Sequence, residues 1–177
     1  GLSGIRPLKQ LNYLLMKCII VDDEPLAREA IQMLIEQTDN LELTGSFNGP
    51  DAASKFMRNE QVDLVFLDIQ MPGINGIEFA KTIPKDTFVI FSTAFSEFAL
   101  DSYEVDAIDY LIKPIKPGRF QKSVEKAQSY FDLLKANYKH NNIEQITDEY
   151  FFVKADRKIV KIYFDKILFI EGLKVYL

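Results

Sequence analysis

Apolar residues follow two alternating patterns along most of the chain: short continuous runs, and longer segments with a helical period. The short runs predict β-strands at Lys17–Val21, Leu41–Phe47, Asp63–Leu67, Phe88–Phe91 and Ala107–Ile112. The segments with apolar residues three or four positions apart predict helices at Pro25–Gln37, Pro50–Asn59, Gly76–Thr82, Ser96–Tyr103 and Pro117–Asn137. Strands that alternate with helices in this way are typical of an α/β fold with a parallel sheet.

Two of the predicted helices carry apolar residues on one side. In the first helix we assign the buried face to Leu26, Ala30, Met33, Leu34 and Gln37. In the long helix Pro117–Asn137 and just beyond it, Phe120, Val124, Ala127, Phe131, Leu134 and Tyr138 follow one another in steps of four and three. The face of the long helix either packs on the sheet or contacts a second subunit along its edge.

The pattern changes after Lys139, where the chain becomes polar and lacks a strong period. We expect four parts: an upstream extension or cloning remnant at 1–15, a main domain at 16–138, a linker at 139–148 that includes His140, and the start of a second domain at 149–177. From Tyr150, FFVKADRKIVKIYF predicts a hairpin that turns at about Ala155–Lys158, and KILFIEG and KVYL predict further strands. The last part is therefore interpreted as a truncated all-β segment, which is small for an independent core.

Composition and charge narrow the possible functions. The chain has 177 residues and a net charge of −5, which argues against nucleic-acid binding by the chain as a whole. The chain has a single cysteine, Cys18, which lies in an apolar run. One cysteine excludes a disulfide framework and a cysteine-based zinc site. No apolar run approaches the length of a membrane span, so we expect a cytoplasmic protein without a membrane partner.

Polar residues that could bind a ligand or react cluster at the ends of the predicted strands. These residues are Asp22 and Asp23 after the first strand, Asp68 after the third, Ser92 and Thr93 after the fourth, and Lys113 with Pro114 after the fifth. Because the carboxyl ends of parallel strands share one edge of a sheet, these side chains are expected to converge. Two carboxylates ~4 Å apart repel by about 4 kcal/mol at an effective dielectric of 20, so three such groups call for a cation. Hard oxygen ligands favour Mg²⁺.

A cation at this edge is suited to phosphoryl transfer. Asp68 can act as the nucleophile and form an acyl phosphate, while Lys113 and the Thr93 hydroxyl can bind phosphoryl oxygens. The sequence contains neither GxxxxGK[ST] nor GxGxxG, so a nucleotide is not the expected ligand.

Four ordered motifs resemble those of response-regulator receiver domains: IIVDDE at 19–24, LVFLDIQMPGINGIE at 64–78, FSTAF at 91–95 and DYLIKPI at 109–115. The resemblance covers about 120 residues. It implies a flavodoxin-like, doubly wound α/β domain with a five-stranded parallel sheet in the order 2-1-3-4-5. It also implies a phosphoacceptor in a two-component system, charged by a sensor histidine kinase, rather than an enzyme.

The same resemblance implies roles for individual residues. Asp68 matches the phosphoacceptor, Asp22 and Asp23 the acid pair, and Lys113 the family's lysine, with a cis peptide between Lys113 and Pro114. Asp23 and the backbone carbonyl of Gln70 are expected to touch Mg²⁺ directly. Thr93 and Tyr110 match the switch pair, which is expected to rebuild the face formed by helix Ser96–Tyr103, strand Ala107–Ile112 and helix Pro117–Asn137. Family members commonly form homodimers through that face.

The tail resembles the opening of a LytTR-type DNA-binding domain. It carries the ending I-x-x-I-E-G at 167–172, and receivers of this style usually precede that module. The full-length protein is therefore expected to bind promoter DNA and regulate transcription. The base-reading strands of that module come later, so specific DNA binding by these 177 residues is not expected.

Two other functions fit parts of the pattern. A Mg²⁺-dependent phosphatase with Asp68 as nucleophile often places a second acid two residues later, but Gln70 stands there and cannot transfer protons. A receiver-like module that only mediates interactions would not need the complete set of acids.

Overall fold

The computed structural model describes residues 15–94, 106–140, 150–155 and 158–163. The predicted helix Ser96–Tyr103, the strands predicted in KILFIEG and KVYL, and most of the predicted linker lie outside the described residues. The chain divides between Asn137 and Tyr138 into two compact units, and each is described by itself.

The first unit alternates strands and helices as the sequence predicts. Its strands are β1 (Met16–Val21), β2 (Leu41–Phe47), β3 (Leu64–Asp68), β4 (Phe88–Thr93) and β5 (Asp109–Ile112). Its helices are α1 (Pro25–Glu36), α2 (Pro50–Met57), α3 (Gly76–Thr82) and α4 (Pro117–His140), the last of which runs into the second unit. β3 begins and ends one residue later than predicted, which makes Asp68 the last residue of the strand rather than the first residue after it.

The five strands form one parallel sheet in the order β2-β1-β3-β4-β5, which confirms the predicted flavodoxin-like fold. Every residue of the central strand β3 is buried because helices cover both faces of the sheet. On one face, residues of α1 and α4 pack with Leu64 and Phe66, and Phe66 stacks on Phe120 at a centroid distance of 5.2 Å. On the other face, residues of α2 and α3 pack with Val65 and Leu67.

The predicted buried face of α1 is wrong. Ile31 and Ile35 are the buried residues of this helix, whereas Leu26 and Met33 are 70% and 61% exposed. Both sets have helical spacing, so α1 carries two apolar stripes and the pattern alone did not distinguish them. The stripe that contains Ile31 and Ile35 is the one that packs on the sheet.

The apolar face of the long helix packs on the sheet, which is the first of the two alternatives predicted for it. Phe120, Val124, Ala127 and Phe131 are buried against the sheet residues of the same core. The helix continues to His140, two residues into the predicted linker 139–148. Lys139 and His140 extend the last helical turn, since polar residues can form the end of a helix.

The described part of the second unit is an antiparallel hairpin of β6 (Tyr150–Ala155) and β7 (Lys158–Tyr163). Ala155 pairs with Lys158, so the chain reverses where the sequence predicts a turn. Among the described residues, no helix combines the length and the apolar character needed to cross a membrane.

Candidate acidic site at the carboxyl edge of the sheet

Three carboxylates meet where β1 and β3 end. One carboxylate oxygen from each of Asp22, Asp23 and Asp68 lies within 4.8 Å of the others. Asp22 and Asp68 are buried, whereas Asp23 is exposed to solvent. These hard, closely spaced oxygens are the donor set that Mg²⁺ prefers, so the residues present fit such an ion.

Lys113 supplies the positive charge of the site. It follows β5, and its backbone N–H donates to the carbonyl oxygen of Thr93 at 2.8 Å. Its Nζ lies 2.7 Å from Asp22 Oδ2 and 3.5 Å from Asp68 Oδ1. The peptide bond between Lys113 and Pro114 is cis. One ammonium faces three carboxylates, so the site keeps an excess of negative charge when all four groups are ionised.

The surroundings shift two pKa values. Burial, together with the charge of Asp22, raises the pKa of Asp68 to about 6 against the opposing effect of Lys113. Burial alone would lower the pKa of Lys113, but its hydrogen bonds and charge interactions with Asp22 and Asp68 outweigh burial and raise it. Lys113 therefore stays charged near neutral pH, and Asp68 lies close enough to its titration range to respond to pH.

The turn between β1 and α1 is held by hydrogen bonds to three polar groups of Asp22. The Asp22 N–H donates to the carbonyl oxygen of Phe47 at 3.0 Å. Asp22 Oδ1 accepts from the Glu24 N–H at 2.9 Å, and the Asp22 carbonyl oxygen accepts from Arg28 Nη1 at 2.6 Å. No pattern in the sequence singles out Arg28, because an arginine on a helix carries no signal of a backbone partner.

The loop between β3 and α3 folds closely over the end of β3. A Cβ at Gly76 would lie 2.0 Å from the Asp68 carbonyl oxygen, so only glycine permits this approach. The Gly76 N–H donates to the Ile69 carbonyl oxygen at 2.8 Å, and Asn75 Oδ1 caps α3 by accepting from the Ile77 N–H at 2.8 Å. These contacts bring Gln70 beside Asp68, where its backbone forms a hydrogen bond with the Asp68 carboxylate.

The resulting cleft has a volume of about 490 Å³. It is lined by Asp23, Glu24, Pro25, Asp68, Gln70, Ala94 and Lys113. Thr93 is fully buried beside this lining, at the end of β4. Tyr110 lies in β5 and stacks on Phe91 with ring centroids 5.3 Å apart. The structure therefore brings Asp22, Asp23, Asp68, Gln70 and Lys113 together, with Thr93 next to them and Tyr110 further along the sheet.

The family follows from a comparison with known proteins. Residues 18–125 match the family described as "Response regulator receiver domain". The chain belongs to this family. It contains the receiver domain of a two-component response regulator, and the matched span runs from the third residue of β1 to the first part of α4.

Related proteins include transcriptional regulators. The receiver is similar to the transcriptional regulatory protein BtsR of Salmonella typhi, with 38% identity over 63% of this chain and 48% of BtsR. It is similar to the transcriptional regulatory protein YpdB of Escherichia coli K12, with 34% identity over 64% of this chain and 48% of YpdB. The chain thus spans about half the length of these relatives.

A solved structure shows the same fold. The response regulatory domain of protein mrkE from Klebsiella pneumoniae is 33% identical and superposes with a TM-score of 0.61. The match covers 66% of this chain and 98% of that domain.

Proposed function

We propose that this receiver accepts a phosphoryl group on Asp68 from a sensor histidine kinase, in a Mg²⁺-dependent reaction, and thereby controls transcription. The observation that carries the proposal is the convergence of Asp68 with Asp22, Asp23 and Lys113 at one edge of the sheet. As a phosphoacceptor, the protein acts as a regulator rather than as an enzyme with an external substrate.

The acidic residues account for the metal requirement. Asp22, Asp23, Asp68 and the backbone carbonyl of Gln70 are the residues that would hold Mg²⁺. The ion would neutralise the excess negative charge and stabilise charge on the phosphoryl oxygens. Because Asp23 is exposed while Asp22 and Asp68 are buried, Asp23 is the acid through which an ion from solvent is captured.

Asp68 performs the covalent step. One of its carboxylate oxygens attacks the phosphorus of a phosphohistidine, an O–P bond forms, and the N–P bond breaks with the electron pair leaving on the imidazole nitrogen. With a pKa of about 6, Asp68 is mostly ionised at pH 7.5 and able to attack. Lys113, already held by Asp22 at 2.7 Å, then pairs with a phosphoryl oxygen without a large movement.

The switch extends from Thr93 to Tyr110. Phosphorylation places a phosphoryl group with a charge of about −1.5 to −2 beside Thr93, whose hydroxyl binds a phosphoryl oxygen in our proposal. The movement of Thr93 gives Tyr110 room to turn and rebuilds the face of the predicted helix Ser96–Tyr103, β5 and α4. Dimerisation of the activated protein through that face is part of the proposal.

The output is proposed to be transcriptional. Two relatives are named as transcriptional regulatory proteins, and each is about twice as long as the part matched here. The hairpin of β6 and β7 fits the first strands of a LytTR-type domain, which we place at 149–177 after a linker. The full-length protein would bind promoter DNA, whereas this chain would bind it only weakly and with strong dependence on salt.

Intact-mass measurement tests the phosphoacceptor. Wild type and Asp68→Asn are incubated with acetyl phosphate and Mg²⁺, each with and without excess EDTA. We expect one added phosphoryl group on wild type with Mg²⁺ and none in the other three samples. Equal labelling of Asp68→Asn would overturn the assignment of Asp68, and unchanged labelling in EDTA would overturn the metal requirement.

A further inference from the structure

Arg28 contacts the acidic site through the backbone rather than through a carboxylate. It occupies the fourth position of α1, and its Nη1 donates to the carbonyl oxygen of Asp22 at 2.6 Å. The cleft lining does not include Arg28, so this residue does not face the space where a phosphoryl group would enter. Its contact with the site is therefore indirect.

The hydrogen bond from Arg28 fixes the peptide that carries Asp23. The Asp22 carbonyl and the Asp23 N–H belong to one planar unit, so holding the oxygen also fixes the plane that carries the nitrogen and Cα of Asp23, from which its side chain leaves the backbone. Among the residues that the structure describes, Asp23 has no side-chain partner of its own. Its position thus depends on the backbone of the turn.

The other two bonds to Asp22 hold different groups of this residue. The bond between the Asp22 N–H and Phe47 anchors the end of β1, and the bond between the Glu24 N–H and Asp22 Oδ1 closes the turn around Asp23. Neither bond involves the Asp22 carbonyl oxygen. Arg28 is the described side chain that holds this oxygen.

We propose that Arg28 is a positioning residue for Mg²⁺ capture: it holds the Asp22–Asp23 peptide so that the exposed Asp23 carboxylate points at the site. This inference rests on the proposed function, because it concerns the same metal. Partners that orient metal ligands commonly contribute about 10- to 100-fold to metal affinity.

The sign of the effect separates positioning from simple charge. A guanidinium near a divalent cation repels it, so if Arg28 acted only through its charge, its removal would tighten Mg²⁺ binding. If Arg28 positions Asp23, its removal weakens Mg²⁺ binding even though a repulsive charge has gone. The conservative variant Arg28→Lys keeps the positive charge and an N–H donor at this position, so it should recover part of the affinity.

The test is calorimetric titration of Mg²⁺ into wild type, Arg28→Ala, Arg28→Lys and the control Arg58→Ala. Arg58 is an exposed arginine that follows α2, so its removal changes the net charge by the same amount. We expect the dissociation constant of Arg28→Ala to rise about tenfold, that of Arg28→Lys to rise less, and that of Arg58→Ala to stay within about twofold of wild type.

A second measurement distinguishes the metal effect from a general structural effect. The rate of labelling by acetyl phosphate is followed as a function of Mg²⁺ concentration. Arg28→Ala should need about tenfold more Mg²⁺ for half the maximal rate and recover the wild-type rate at saturation. Unchanged or tighter Mg²⁺ binding by Arg28→Ala, or a lowered melting temperature with unchanged affinity, would overturn the inference. If Arg28→Ala does not fold, unchanged affinity of Arg28→Lys together with a wild-type labelling curve would overturn it.

Failure of the proposed function can be distinguished from failure of the inference about Arg28. A wild type that neither binds Mg²⁺ nor gains a phosphoryl group would overturn the proposed function, and the inference about Arg28 with it. A wild type that does both, with Arg28→Ala unaffected, would overturn only the inference.

Discussion

Asp63 and Asp68 lie at opposite ends of β3, and both are largely removed from solvent, with exposures of 7% and 5%. Asp63 is held by neutral donors: its Oδ2 accepts from the Lys17 N–H and its Oδ1 from Gln61 Nε2, both at 2.9 Å. Its own backbone pairs with Lys17 and Phe88 at 2.8 Å. Asp63 thus joins β1, β3 and β4 at the amino edge of the sheet.

Asp68 has a different environment although it lies only one strand length away. It faces the carboxylates of Asp22 and Asp23 and shares the single ammonium of Lys113 with Asp22. Burial and the charge of Asp22 raise its pKa to about 6. The difference shows that burial alone does not identify a reactive carboxylate. A carboxylate whose oxygens are satisfied by neutral donors stabilises the fold, whereas one that faces like charge has unused capacity to bind a cation or react.

The largest expected effect on stability is at Asp63. Asp63→Ala leaves the Lys17 N–H and the Gln61 amide without their partner, which should lower the free energy of unfolding by about 2–4 kcal/mol. Urea unfolding measures this change. Asp63→Asn, which keeps the shape and one acceptor, is the matched variant and should lose less. A loss below about 0.5 kcal/mol for Asp63→Ala would contradict the structural role of Asp63.

Substitution of Asp68 is expected to raise the free energy of unfolding, whereas substitution of Asp63 lowers it. In EDTA at pH 7.5, Asp68→Asn should raise the free energy of unfolding by about 2–3 kcal/mol, because it removes a charge that the folded site disfavours. Urea unfolding of this variant beside Asp63→Asn gives the comparison directly. Destabilisation by both variants would mean that the two aspartates do not differ as described.

The pH dependence of the same measurement provides a control. The folded pKa of Asp68, about 6, lies above the ordinary value of 3.8, so the folded state binds more protons than the unfolded state between these values. The stability contribution of Asp68 must therefore rise as pH falls from about 7 to about 4. The difference in the free energy of unfolding between Asp68→Asn and wild type should therefore shrink as pH falls across this range. A difference that grows would contradict the raised pKa of Asp68.

Metal addition should give a smaller effect that depends on the acidic cluster alone. At ten times its dissociation constant, Mg²⁺ should stabilise wild type by about 1.4 kcal/mol, since it binds the folded site. Asp23→Ala should lose most of this increase, while Asp63→Asn should keep it. Thermal unfolding with and without Mg²⁺ measures both. An equal increase in Asp23→Ala would show that the ion binds elsewhere.

The smallest effect is expected at a third aspartate, in β5. Burial would raise the pKa of Asp109, but hydrogen bonds from Arg119 and the Tyr110 N–H outweigh it and lower the pKa. Arg119 is 44% exposed on its side chain, so solvent screens the pair, and Asp109→Asn should cost at most about 1 kcal/mol at pH 7.

The pH dependence of Asp109 has the opposite sign to that of Asp68. Because the folded pKa is below the unfolded one, the stabilisation is present above about pH 4 and disappears as pH falls through the folded pKa. Urea unfolding of wild type and Asp109→Asn at pH 7 and at acidic pH checks this. A difference that persists unchanged at low pH would contradict the role given to the charge.

The sequence predicts the fold and the acidic site well, and for the same reason. Parallel strands end at one edge, so locating the strands in the sequence also brings Asp22, Asp68 and Lys113 together. Arg28 and Asp63 could not be found in this way, because Arg28 binds the Asp22 carbonyl and Asp63 binds the Lys17 N–H, and these backbone groups show no pattern in the sequence. The buried face of α1 could not be chosen either, since Leu26 with Met33 and Ile31 with Ile35 are both apolar pairs at helical spacing.

Chemical trapping can identify the residue that carries the phosphoryl group, which we propose to be Asp68. Borohydride reduces an aspartyl phosphate to homoserine, so wild type is labelled with acetyl phosphate and Mg²⁺, reduced, digested and analysed by peptide mass spectrometry. We expect homoserine at position 68 and unmodified aspartate at positions 22, 23 and 63. Homoserine at any of those three positions, with Asp68 intact, would contradict it.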